Sequence, residues 1–75
     1  MTGKILVDAR GLSCPQPVLE TKTALESAGD AIVEVLVDTV TSRENVLRLA
    51  NRMKWKGTWE ESEQGGFRLT LNHQA

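Results

Sequence analysis

Cysteine and histidine each occur once in the 75 residues. A single cysteine closes no intramolecular disulfide, so the chain is not a small stapled secreted domain, and any resolving thiol has to come from another protein. One cysteine and one histidine also fall short of the four ligands that a structural zinc site takes, which removes metal binding from consideration. Long apolar runs are missing as well. None exceeds three residues, as in Ile5-Leu6-Val7, Ala31-Ile32-Val33 and Val35-Leu36-Val37, so neither a membrane span nor the apolar part of a signal peptide is expected, and the cytoplasm is the expected compartment. No excess of one charge sign exists either. Nine basic and ten acidic side chains leave a net charge of -1, which disfavours binding driven by a nucleic-acid backbone. Proline is confined to two residues, both within Cys14-Pro15-Gln16-Pro17.

What remains is the composition of an ordinary globular domain, 40% hydrophobic and 25% charged. Residues 1–75 are read as one domain whose modest core leaves no room for a deep cleft, so an active group has to sit near the surface.

Six short elements follow in the order βαβαββ. Lys4 to Asp8 is an apolar run ahead of the turn-prone Arg10-Gly11-Leu12-Ser13, hence a first strand. From Gln16 to Ala28 the apolar residues Val18, Ala24, Leu25 and Ala28 line one side of a helix that Gly29 stops. Ala31 to Val37, broken only by Glu34, suits an inner strand. Thr41-Ser42-Arg43-Glu44 has the capping-box pattern, which predicts that a second helix begins there. Val46, Leu49, Ala50 and Met53 form its stripe, Glu44 and Arg48 form an i,i+4 pair, and its end falls near Lys54. Thr58–Glu63 and Phe67–Asn72 flank Gln64-Gly65-Gly66 as a hairpin. The fold class expected is α/β, a two-layer sandwich with a four-stranded mixed sheet and both helices on one face.

Functional groups of such sheets gather beyond the carboxyl ends of the parallel strands, and two segments reach that edge, Asp8 to Cys14 and Asp38 to Thr41. Pro15 pushes Cys14 toward the extended backbone of a helix N-cap and itself suits the first helical position, while Pro17 is harmless in the first turn. The two prolines stiffen the helix entrance and leave the Gln16 N–H to face an anion. A thiolate there is stabilised by the helix dipole, which lowers its pKa, and Arg10 is a candidate cationic neighbour. The competing reading, a small buried hydrophobe, is outweighed by the proline context.

Asp8-Ala9-Arg10-Gly11-Leu12-Ser13-Cys14-Pro15-Gln16-Pro17-Val18, continuing to Lys22 and Ala24-Leu25, resembles the signature of the TusA/SirA/YedF family of sulfur carriers. Val37-Asp38 with Arg43-Glu44-Asn45-Val46, and Glu60-Glu61 through Gly65-Gly66-Phe67-Arg68-Leu69, resemble the YedF-like branch associated with selenium metabolism. The resemblance implies a βαβαββ sandwich and sulfurtransferase-type persulfide carriage on Cys14, with no cofactor and no independent turnover of a small molecule. Its implied partners are a sulfur donor, a cysteine desulfurase or rhodanese-like protein, and a sulfur-acceptor protein. Asp8, Arg10, Gly11, Pro15, Gln16 and Pro17 support the motif. Two departures stand out: Asp38-Thr39 replaces an aspartate-proline pair, and Lys54-Trp55-Lys56 stands where a glycine often follows the second helix. YedF-like chains can carry a further domain, so a second component is expected in trans; the chain itself is expected to be a monomer.

Lys22, Arg43, Arg48 and Arg52 are candidate partner-binding residues, although a basic run is more often a solvated helix face. The alternative function is an RNA- or protein-binding regulatory module that uses the basic second helix and leaves Cys14 passive; a redox adaptor forming mixed disulfides through Cys14 is a third. Of Trp55 and Trp59, one is expected to close the core. Asp8 is expected to stabilise the Gly11 turn, because a carboxylate beside a thiol would raise its pKa. His73 lies too near the end to serve as a base.

Overall fold

The computed structural model describes residues 3–11, 16–29, 31–63 and 65–73. Its elements are β1 (Lys4–Asp8), α1 (Gln16–Ala28), β2 (Ile32–Val37), α2 (Val40–Arg52), β3 (Trp55–Glu61) and β4 (Phe67–His73). The four strands form one mixed sheet in the order β1-β2-β4-β3, with β1 parallel to β2 and the other neighbours antiparallel. This is the α/β arrangement expected from the sequence.

Alternation along the strands sorts the two faces. Val33, Val35 and Val37 of β2 and Leu69 and Leu71 of β4 are fully buried beneath the helices, each contributing about 1.5–3 kcal/mol relative to exposure. Glu34 interrupts the β2 run because it faces the other way, where Lys4 pairs with it at 3.1 Å. Against the inner face α1 sets Pro17, Thr21 and Leu25, and α2 sets Ser42, Val46 and Ala50. Thr21 is tolerated in the core because its hydroxyl donates to the Pro17 carbonyl at 2.8 Å. Pro17 is thus a core residue as well as part of the helix entrance, and Val18 lies half-buried beside the stripe.

Several boundaries differ from the sequence reading. The cap of α2 is Thr39, not Thr41: its backbone is extended (φ -132°, ψ 153°) and its hydroxyl accepts the Ser42 N–H at 3.0 Å. Strand β2 ends at Val37, so the chain has already turned into the helix when it reaches Thr41. Glu44 is therefore not part of a capping box, and its carboxylate pairs with Arg43 at 3.1 Å instead of with Arg48. Strand β3 starts at Trp55 rather than Thr58, because Lys54 adopts the left-handed conformation (φ 67°) and reverses the chain without a loop. It ends at Glu61 rather than Glu63, since Ser62 and Gly66 already close the turn, Ser62 N–H to Gly66 carbonyl at 3.0 Å. Strand β2 starts at Ile32 rather than Ala31, and β4 runs on to His73. Trp55 is the core tryptophan; Trp59 is 44% exposed.

Candidate functional site

The parallel pair β1 and β2 ends at one edge of the sheet, and everything that follows those strands is delivered there. Ala9 extends the ladder, donating its N–H to the Leu36 carbonyl at 2.8 Å. Arg10 and Gly11 then turn away, Gly11 with φ 79°. On the β2 side Asp38 and Thr39 lead into α2, and the antiparallel register brings the turn between Glu61 and Phe67 to the same edge, because Val37 pairs with Phe67.

Three of these segments are tied together at Asp38. Its Oδ2 accepts the Gly11 N–H at 2.8 Å, a bond between residues 27 apart in sequence. Gly66 (φ 80°) packs against the same backbone: a Cβ on it would lie 2.5 Å from the Val37 carbonyl oxygen and 3.2 Å from Asp38 Cα. Asp8, expected to hold the Gly11 turn, holds Arg10 instead. Its Oδ1 accepts from Arg10 Nε at 2.9 Å and from the Arg10 backbone N–H at 3.2 Å, and its Oδ2 accepts from a terminal guanidinium nitrogen at 3.0 Å. Alternation explains the exchange. Asp8 ends β1 on the open face, where a side chain two residues on can reach it, whereas Asp38 faces the amide of Gly11 across the edge.

The electrostatics follow. The side-chain hydrogen bond from Arg10, reinforced by the Arg10 backbone bond, lowers the Asp8 pKa, and the same side-chain bond raises that of Arg10, with Asp38 adding attraction. The Arg10 guanidinium is thus engaged by Asp8, with Asp38 a weaker attraction.

Cys14 and Pro15 lie outside the described residues. The chain leaves described structure at Gly11 and re-enters it at Gln16, the exposed first residue of α1. The four basic candidates divide. Arg43 turns toward β3 and β4, its guanidinium carbon 4.0 Å from the centroid of Trp59 and 4.9 Å from that of Phe67. Arg48 and Arg52, exposed and in no ion pair among the described residues, border a groove of about 180 Å³ between the helices, floored by Val18 and Leu49. Lys22 is exposed one turn along α1 from Val18. A wider hollow of about 530 Å³ opens beside Arg10, between Leu36, Phe67, Arg68, Glu60 and Glu61. His73 is remote from all of this, at the opposite end of β4, its ring 5.1 Å edge-on from Trp55.

Asp38 is the residue that sequence reading placed at this edge without assigning it a part. Its separation of 27 residues from Gly11 leaves no local pattern to find.

Comparison with known proteins gives two findings. The family model described as sulfurtransferase TusA matches residues 5–72. The crystal structure of a SirA-like protein from Desulfitobacterium hafniense superposes with a TM-score of 0.86 at 34% identity, covering 95% of this chain and 99% of that one. No curated protein sequence matches the chain.

Proposed function

Because the chain belongs to the sulfurtransferase TusA family, we propose that it is a sulfur carrier that takes a sulfane sulfur onto Cys14 from one protein and hands it to another. The observation that carries this reading is the start of α1 at Gln16, two residues after Cys14, at the edge where α2 also begins. Covalent geometry keeps the Cys14 Cα within about 7.6 Å of the Gln16 Cα, at two steps of ~3.8 Å. A helix N-terminus favours the thiolate, which is the nucleophile.

The exchange needs no redox partner. The Cys14 thiolate attacks the terminal sulfur of a donor persulfide; a new S–S bond forms, the old one breaks, and its electron pair leaves with the donor cysteine as thiolate. An acceptor nucleophile then attacks the outer sulfur and Cys14 departs as thiolate. Pro15 restricts the backbone of Cys14, and the Asp8–Arg10 pair stiffens the approach to Gly11. The donor is a cysteine desulfurase or rhodanese-like protein. The interhelical groove with Arg48, Arg52 and Lys22 supplies basic and apolar surface for a partner. Resemblance to the YedF-like branch extends the candidate cargo to selenium, and a cytoplasmic site of action fits a reactive free thiol.

Incubation with a cysteine desulfurase, cysteine and pyridoxal phosphate, followed by intact mass measurement, should add one sulfur to the wild type and none to Cys14→Ala. No gain on the wild type with any desulfurase or rhodanese donor would reject the reading.

A further inference from the structure

Strand β3 is an outer edge of the sheet, pairing with β4 on one side only, and six of its seven residues are exposed. Its pairing with β4 runs unbroken from Trp55 to Glu61, so no bulge blunts the edge, and the strand holds no proline. The turn shows which backbone groups face outward. Ser62 donates its N–H to the Gly66 carbonyl at 3.0 Å and so points at β4. Alternation along an antiparallel ladder points Glu60, Thr58 and Lys56 the same way. Trp55, Gly57, Trp59 and Glu61 are left with N–H and C=O groups aimed away from the sheet.

The charges on this edge are self-complementary. Thr58 is the middle residue of β3, so an antiparallel copy centred on it overlaps the whole strand and sets each Lys56 opposite Glu60 of the other copy. Lys56 forms no ion pair among the described residues, and Glu60 engages Arg68 through Oε1 alone. On the helix face the same register sets the exposed Trp59 beside Gly57 of the second copy, where no side chain competes for the space and the half-buried Leu47 lies directly above the backbone. Centring on Gly57 or Trp59 instead shortens the overlap and separates Lys56 from Glu60. The opposite edge, β1, is five residues long, and its end charges are held within the chain, Lys4 by Glu34 and Asp8 by Arg10.

We propose that two copies of this chain associate through antiparallel β3–β3 pairing about a two-fold axis at Thr58, in place of the monomer expected from the sequence. The pairing supplies about eight inter-strand hydrogen bonds, two from each facing pair of outward residues. It stands apart from the sulfur-carrier reading, because β4 separates β3 from the parallel pair β1 and β2.

Sedimentation of the wild type over a concentration series should show a monomer–dimer equilibrium. Thr58→Lys sets two like charges face to face at the axis, and Lys56→Glu sets a carboxylate against Glu60 of the second copy; both variants should sediment as monomers. Both positions are exposed, and circular dichroism identifies a variant that misfolds, in which case cross-linking decides alone. In a Cys14→Ser background, Thr58→Cys should form an intermolecular disulfide on mild oxidation, because facing residues of a non-hydrogen-bonded pair lie ~4.5 Å apart at Cα. Lys56→Cys should not, since the two copies of position 56 lie about 14 Å apart. A wild type that stays monomeric up to about 1 mM protein would overturn the inference and leave the edge to a strand of another protein. A dimer that survives both charge variants, or equal cross-linking at positions 56 and 58, would overturn it as well.

Discussion

Arg43 lies over the face of Trp59, its guanidinium carbon 4.0 Å from the ring centroid. Phe67 meets Trp59 edge-on at 5.5 Å, so one cation is held by two rings from neighbouring strands. The contact fastens the first turns of α2 to β3, the edge strand of the sheet. The Arg43 Nε is nevertheless buried without a hydrogen-bond partner among the described residues, so the ring contact offsets a desolvation cost instead of adding to a satisfied network. A double-mutant cycle of Arg43→Met and Trp59→Leu, followed by denaturant unfolding, should return a coupling of about 0.5–1 kcal/mol. A coupling indistinguishable from zero would mean that the stacking has no energetic weight.

Lys54 occupies a left-handed backbone position (φ 67°) directly after α2, where glycine is the usual terminator. An L side chain there costs about 1–2 kcal/mol, part of which glycine returns through the greater freedom of the unfolded chain. Lys54→Gly should therefore stabilise by about 0.5–1 kcal/mol, visible as a higher Tm in a thermal scan. A fall in Tm would show that the lysine side chain makes a compensating contact.

Gly65 and Gly66 both have positive φ, 87° and 80°, but only Gly66 is crowded, by the Val37 carbonyl. Alanine at 65 should cost about 1–2 kcal/mol, the conformational penalty alone. At 66 the same substitution adds a clash with the Val37 backbone, so it should cost more, roughly 3 kcal/mol. Equal losses in stability at the two positions would contradict the close approach.

Acid should release the Asp8–Arg10 pair. Because hydrogen bonding by Arg10 lowers the folded-state pKa of Asp8 beneath its ordinary 3.8, the contribution is fully present above that value and is lost as pH falls through the lowered one. The Tm difference between wild type and Asp8→Asn should accordingly be constant from pH 7 down to about 5 and shrink below about 4. A difference that changes instead between pH 6 and 8 would point to another group. Since both side chains are solvent-exposed, the effect is small.

Arg48 and Arg52 project beside the interhelical groove and form no ion pair among the described residues. Reversing both to glutamate should leave iodoacetamide alkylation of Cys14 unchanged while lowering the rate of sulfur transfer from a protein donor about tenfold at low salt, with the gap closing at high ionic strength. An unchanged transfer rate would remove this groove from the docking surface.

Strand β1 and helix α1 were legible to the residue, because Gly29 and the proline segment punctuate them and their periodicity is unbroken. The cap of α2 was not. Thr39 and Thr41 are chemically equal candidates, and the choice between them depends on where β2 leaves the sheet. Likewise Trp55 and Trp59 cannot be ranked by type. In the register opposite β4, Trp55 pairs with His73 and is buried, while Trp59, opposite Leu69, stays 44% exposed under Arg43. The apparent basic run from Arg43 to Arg52 is one stretch in sequence and two surfaces in space, since helical rotation sends Arg43 to the strands and Arg48 and Arg52 to the groove.

By itself the sequence determined the element order, the mixed α/β class and the family, because apolar periodicity and turn chemistry are local and the Cys14-Pro15-Gln16-Pro17 segment is contiguous. Only the tertiary structure decided which aspartate holds which partner. Asp8 closes on Arg10 across two residues, whereas Asp38 reaches Gly11 across 27; a hydrogen bond between distant segments is fixed by strand pairing and leaves no trace in the spacing of residues along the chain.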